Sequence, residues 1–421
     1  MTVVIRSSKI DKRGIGATLK NNPPGAGLNG SPVRNPVEVT YDDPEATTAS
    51  NRSPSLPRRG TGFLPFRYLI GDGLTVGSQV PLHELDYFRE PTLGRDLDIE
   101  IRVGKVGSAL PRSRARLLRF AGPDGVRYEE HLGRWGANFS IDMGDQVRVT
   151  ISSLLARSPH VAYTNIIEAL LRFALASRGQ MLLHSACLEL DGRGLMLSAR
   201  TDTGKTGTVL RLLRERGARF LSDDMTILSA DGTAHCFPKP MTISSHTLRA
   251  VDPGDLSRGE WFGLGLKSRL HSKGGRGIGL WMANANLPIM SANALTQLIV
   301  PPPKYFADRL VDCRITDETT VENLFVIERG PSELGELTDE SALAILMENT
   351  EDAYGFPPFR FLAPVLVMGG DNHVALLRRE REILRAALTR MRVRRLASDN
   401  FGWADEIPKL LAEDGSGDAA H

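Results

Sequence analysis

Cysteine is scarce in this chain of 421 residues: Cys187, Cys236 and Cys313 are the three it has, far apart and with no C-x-x-C pair among them. Such usage argues against a structural zinc and against a disulfide framework, and it suits the reducing cytoplasm. Aromatic residues are only 6% of the chain and no basic stripe interleaves with them, so no nucleic-acid partner is expected. A net charge of +2 leaves no strong field of either sign. Long apolar runs are missing as well. Met1-Thr-Val-Val-Ile is too brief before Arg6, Lys9, Lys12 and Arg13 to read as a signal peptide. The fairly apolar stretch from Leu280 to Val300 is broken by Asn284, Asn286, Pro288, Asn293 and Gln297, so no transmembrane segment is expected and a buried or interfacial helix is the better reading.

What is present divides into three parts. Residues 1–62 are rich in Pro, Gly, Ser, Asn and charge, as in Asn51-Arg-Ser-Pro-Ser-Leu-Pro-Arg-Arg-Gly60, and cannot bury enough apolar area to offset chain entropy. They read as a disordered leader. From 63 to 153 the pattern is mainly β. Leu97-Asp-Ile-Glu-Ile-Arg-Val103, Arg116-Leu-Leu-Arg-Phe120, Val126-Arg-Tyr128 and Asn138-Phe-Ser-Ile-Asp142 alternate at period two, with turns at Gly122-Pro-Asp-Gly125 and Asp142-Met-Gly-Asp145. The remainder, 154–421, mixes strands and helices. Ile166, Ile167, Leu170, Leu171 and Phe173 fall at helical spacing within a helix expected over 163–176. Val321 to Glu328 reads as a core strand, Glu340 to Asn349 and Glu380 to Met391 as helices, and Val393-Arg-Arg-Leu396 with Trp403 to Leu411 as a closing strand and helix. The fold class this implies is α/β, a mixed sheet with flanking helices behind a β-rich front.

The most informative stretch is an apolar strand, Leu195-Met-Leu197, running into Ala199-Arg200-Thr201-Asp202-Thr203-Gly204-Lys205-Thr206 and then a helix-forming run. A strand that restarts abruptly as a helix presents unpaired backbone N–H groups, which with the macrodipole bind polyphosphate oxygens. Lys205 adds a point charge for the outer phosphates, and the Thr206 hydroxyl suits Mg²⁺. The loop departs from G-x-x-x-x-G-K-[ST] at Ala199, and Asp202 adds an anion that Lys205, Arg200 or a metal would have to offset. Beyond the helix, Phe220-Leu-Ser-Asp223-Asp224 reads as a short strand ending in two carboxylates. Adjacent carboxylates repel unless a cation sits between them.

Taken together, His184-Ser-Ala-Cys-Leu-Glu-Leu-Asp-Gly-Arg-Gly194, the loop, and the helix ending at Gly217 before Asp223-Asp224 resemble the C-terminal catalytic domain of the HPr serine kinase/phosphorylase family, whose core is shared with ATP-type phosphoenolpyruvate carboxykinases. Phe237-Pro-Lys-Pro-Met241 resembles a Pro-Lys-Pro element of HPr-kinase-like proteins, and the clear similarity runs from Leu182 to Met241. The resemblance implies a P-loop kinase using ATP and Mg²⁺, with transfer to a hydroxyl on a small molecule, sugar or peptide serine. It implies Asp223, Lys205 and His184 as catalytic residues, Asp223 taking the acceptor's proton, and Thr206 with Asp224 on the metal. A homo-oligomer is a further implication. The Glu-Ile-Arg-Gly-type signature of members that phosphorylate HPr is absent from Ala234 to Asp255, so HPr itself is not the expected acceptor.

Blander readings stand beside these. His184 reads equally as a core histidine satisfied by backbone groups, Cys187 as core filler, and Ser222-Asp223-Asp224 as a strand end or helix cap. Lys267-Ser-Arg-Leu-His-Ser-Lys-Gly-Gly-Arg276 reads either as a segment closing over phosphates or as a solvated basic loop. Two alternative functions remain: a nucleotide-binding regulatory or scaffold protein with a degenerate loop, and a carboxykinase-type enzyme, whose extra Lys, His and Arg residues cannot be placed.

Overall fold

The computed structural model describes residues 63–94, 96–106, 116–120, 125–133, 135–144, 146–200, 203–242, 288–299, 304–354 and 358–418. The leader expected over 1–62, the basic segment 267–276, the centre of the turn at 122–125, and loop residues Thr201 and Asp202 lie outside them.

Seven strands form the first sheet: β1 (Phe66–Ile70), β2 (Leu74–Ser78), β3 (Ile99–Val103), β4 (Arg116–Phe120), β5 (Gly125–Glu129), β6 (Phe139–Met143) and β7 (Val147–Ile151). Their order is β1-β2-β3-β7-β6-β5-β4, with β2, β3 and β7 parallel to their neighbours at the two central joints. This is the β-rich front expected from period-two alternation. The sequence reading does not single out strands β1, β2 and β7, although β7 alternates buried and half-buried positions as the others do.

Next comes the amphipathic segment. It begins as a π-helical turn at Tyr163–Ile167 and continues as α1 (Glu168–Ser177), which is buried almost all round. A helix of that kind belongs between layers. One continuous core joins the first sheet to α1, to Leu182 and Ile227 of the second sheet, and to Leu376.

The second sheet has nine strands among the described residues. They are β8 (Gln180–Leu183), β9 (Ala186–Leu190), β10 (Arg193–Ser198), β11 (Arg219–Ser222), β12 (Thr226–Ser229), β13 (Thr233–His235), β16 (Glu318–Arg329), β17 (Glu333–Glu336) and β20 (Arg392–Ser398). Outside it, β14 (Met241–Thr242) pairs with β15 (Lys304–Tyr305), and β18 (Val367–Met368) with β19 (Asp371–Asn372). Its long member, β16, alternates buried and exposed over its first half and is buried on both faces where β10 and β20 flank it in parallel.

Helices cover both faces. Besides α1, the helices longer than two turns among the described residues are α2 (Lys205–Arg216), α3 (Ile289–Ile299), α4 (Asp339–Ala353), α5 (His373–Leu388) and α6 (Trp403–Asp418). Leu188, Leu197, Phe325 and Ile327 pack on α2 and α6, whereas Cys187, Met196, Leu324 and Val326 pack on α4 and α5. The alternation of side chains along each strand sorts these residues to opposite faces. The molecule is thus a mixed α/β protein with mixed sheets and flanking helices. No helix of the described residues is long and apolar enough to cross a membrane. Within the 280–300 stretch, α3 is 11 residues long and buries Met290, Ser291 and Ala294.

Candidate functional site

Strand direction builds the site. Strand β9 is antiparallel to both β10 and β11, and β10, β16 and β20 are mutually parallel, so β10, β11, β16 and β20 all run one way. Their C-terminal ends therefore share one edge, where open α/β sheets bind ligands. From β10 the chain enters the loop, and from β11 it enters Asp223-Asp224. Strand β16 ends at Arg329, and β20 leads to Phe401.

The loop turns on Gly204, whose φ of +131° lies in the region that disfavours any Cβ; a Cβ there would sit 2.9 Å from Phe401 and 3.0 Å from Trp403. Arg329 fixes it from the next strand, donating from Nε to the Thr203 carbonyl at 2.8 Å while its guanidinium lies 4.3 Å above the Phe401 ring. The Thr203 hydroxyl donates to Arg200 O at 2.7 Å, and Arg200 reaches Glu348 at 3.2 Å on the surface. Ala199 is buried against the core beneath. Helix α2 has no side-chain cap at Gly204, and its first intrahelical bond runs from Thr208 N to Gly204 O at 3.1 Å. The amides of the first turn are therefore donors without an intrahelical partner, as at any helix start.

Lys205 and Thr206 both reach Asp223, one at its backbone carbonyl and the other at its carboxylate. Lys205 Nζ donates to the Asp223 carbonyl at 2.6 Å, and Thr206 Oγ1 donates to Asp223 Oδ2 at 2.8 Å. Asp223 is buried, and its Oδ1 has no hydrogen-bond partner among the described residues. Burial pushes this carboxyl above its ordinary range, against the pull of Lys205 and Thr206. Asp224 has different neighbours. Its Oδ2 lies 2.7 Å from Lys239 Nζ, and its Oδ1 lies 3.8 Å from His184 Nε2, with the side chain about half exposed. Desolvation raises the Asp224 carboxyl, but Lys239, then His184 and Lys205, outweigh it and hold the group below the usual carboxylate range. Loss of water also pulls the Lys205 ammonium down, although both aspartates oppose it.

His184 sits in the break between β8 and β9 rather than inside a strand as its apolar neighbours suggested. Its backbone N–H donates to Thr350 Oγ1 at 3.3 Å, and its Nδ1 lies 3.3 Å from Asn349 O. Asn349 in turn donates to Ser198 Oγ at 3.1 Å. Burial first, then Lys205, lowers the imidazole to about 4, so near neutral pH it is an uncharged neighbour of Asp224. Cys187 is fully buried, and burial pushes its thiol well up, as core filler requires.

The expected residues that fall within the described chain thus converge at one sheet edge. Their pairing differs from expectation in one respect: the Thr206 hydroxyl bonds Asp223, and Asp224, expected as its partner on the metal, is taken by Lys239. Among the described residues no group of three His, Cys, Asp or Glu is arranged to hold a metal ion by itself. Several residues at the site went unassigned in the sequence. Arg329 and Phe401 sit at strand ends distant in sequence, and Glu168 and Asn349 lie on helices whose periodicity marks apolar positions and gives polar ones no signal. No protein-family model matches the chain. No curated protein matches it in sequence.

Proposed function

We propose that the protein is an ATP- and Mg²⁺-dependent phosphotransferase of HPr-kinase-like type that transfers the γ-phosphate to a hydroxyl of a small molecule, sugar or peptide, and not to HPr. One observation carries this reading: a strand, a glycine turn and an uncapped helix start hold Lys205 and Thr206 against Asp223 at the end of β11, which lies across β9 from β10. The residues present fit the groups invoked. The free amides of α2 with Lys205 suit phosphate oxygens, and the orphaned Asp223 Oδ1 beside the Thr206 hydroxyl suits one divalent ion. When bound, that ion would supply charge neutralisation at the phosphates.

The remaining work belongs to this chain. Phosphoryl transfer needs positioning and charge stabilisation more than covalent chemistry. Lys205 supplies a fixed cation, and Arg329 with Phe401 keeps the loop in shape. Asp224, the reachable carboxylate, orients the acceptor hydroxyl and takes its proton late. This exchanges the duties expected for the two aspartates, because Thr206 pairs with Asp223. The three free cysteines accord with a cytoplasmic setting.

The test is ATP consumption with candidate acceptors by the wild type, Lys205→Ala and Asp223→Asn. A phosphotransferase loses about 10²-fold or more in turnover with either change. Saturable ATP binding without turnover on any acceptor would instead make the protein a nucleotide-binding regulator.

A further inference from the structure

The two adjacent aspartates differ in what already neutralises them. Asp223 has a hydroxyl on one oxygen and, among the described residues, no hydrogen-bond partner on the other. Asp224 has an ammonium. Lys239 Nζ stands 2.7 Å from Asp224 Oδ2 and 2.7 Å from Glu168 Oε2, with only about 10% of the lysine side chain exposed. Three features fix that lysine. Pro238 and Pro240 bracket it and restrict its backbone. Phe237 N donates to Leu221 O at 3.0 Å, tying the segment to the strand that ends in the aspartates. Glu168 is the first residue of α1 and is itself buried, and the ammonium lies 6.0 Å from the Tyr163 ring centroid.

A divalent ion that took Asp224 Oδ2 as a ligand would have to displace a buried ammonium and strand Glu168 without its partner, and one at Oδ1 would share a carboxylate that Lys239 already neutralises. Leaving one member of a buried pair uncompensated is strongly unfavourable. At Asp223 the nearby ammonium, Lys205, bonds the backbone carbonyl and not a carboxylate oxygen. We propose that Lys239 is a positioning residue of the phosphoryl-transfer site, a built-in cation that reserves Asp224 for the acceptor, so that the site takes a single divalent ion between Thr206 and Asp223. This rests on the phosphoryl-transfer reading above. It assigns Lys239 the part that a second metal ion would play in a two-metal site.

Mn²⁺ binding to the full-length chain, read from the free-ion electron paramagnetic resonance signal with and without ADP, tests it. The wild type should bind one ion per chain. Asp223→Asn and Thr206→Val should each weaken it by more than about tenfold, whereas Asp224→Asn should change it by no more than about twofold. Lys239→Met should expose Asp224 and add a second ion, and Lys239→Arg, which keeps the charge, should not. Thr206→Val leaves both carboxylates in place, so the ranking survives if Asp223→Asn fails to fold. Two ions in the wild type, no bound ion at all, a tenfold loss in Asp224→Asn, or no second ion in Lys239→Met each overturns the assignment. Failure of the wild type to bind ATP or ADP would instead remove the phosphotransferase reading, while the Mn²⁺ ranking in the nucleotide-free chain still decides the role of Lys239.

Discussion

His184 shows how burial sets the chemistry of a single residue. Burial first, then the Lys205 ammonium, lowers its imidazole to about 4 from an ordinary 6.5, against the pull of Asp224 and Asn349 O. The sign of the pH effect follows. A base whose folded pKa is depressed costs nothing above the unfolded value, because both states are neutral there. Below it the unfolded chain takes up a proton that the native state refuses, and stability is lost from about pH 6.5 down to about pH 4. Between pH 7 and pH 5 the loss from this one group is about 2 kcal/mol. His184→Gln removes it, so denaturant unfolding at the two pH values should show the variant gaining about 2 kcal/mol on the wild type as the pH falls. Equal stability differences at both values would mean that the imidazole is solvated and titrates normally. From sequence His184 could be read either way, since an isolated histidine among Met181, Leu182 and Leu183 fits a core strand as well as a site. What decided its place was the chain break between β8 and β9, which no local pattern announces.

Elements with strong local period were legible in advance, and elements defined by partners were not. The alternation of 97–103 and 138–142, the loop-to-helix joint at 199–206 and the glycine stop at Gly217, with its φ of +66°, are local signals. Register across β16, which brings Arg329 and Phe401 to the loop, depends on contacts far apart in sequence. So does the seam between α1 and α5. Here Arg172 donates to both oxygens of Glu380 at 2.7 Å, with both side chains fully buried, and reaches Glu351 at the end of α4 at 2.5 Å. The guanidinium also lies 4.6 Å from the Tyr354 ring centroid. No local pattern in the sequence marks Arg172, Glu351 and Glu380 as partners, because composition does not reveal which charge finds which. Glu380→Ala leaves the Arg172 charge underpaired in the interior and should cost about 3–5 kcal/mol in equilibrium unfolding. Joint replacement by Arg172→Met and Glu380→Leu should cost much less. An alanine variant as stable as the wild type would mean that water reaches the seam.

At the scale of the whole molecule, one core runs from the first sheet through α1 into the second, so the front of the chain and the loop-bearing sheet are packed as one body around Tyr163, Phe173 and Ile227. Glu168 at the start of α1 touches Lys239, and Lys239 touches Asp224, which carries that packing to the carboxylate pair. The parallel strands β10, β16 and β20, with β11 running alongside in the same sense, place every element of the candidate phosphate site at one edge. Titration calorimetry of MgATP onto the wild type and Lys205→Ala reads this most directly. The account predicts saturable one-to-one binding that requires Mg²⁺ and weakens by about tenfold or more when the lysine is lost. Absence of heat in the wild type, or binding that is indifferent to both the metal and Lys205, would contradict it.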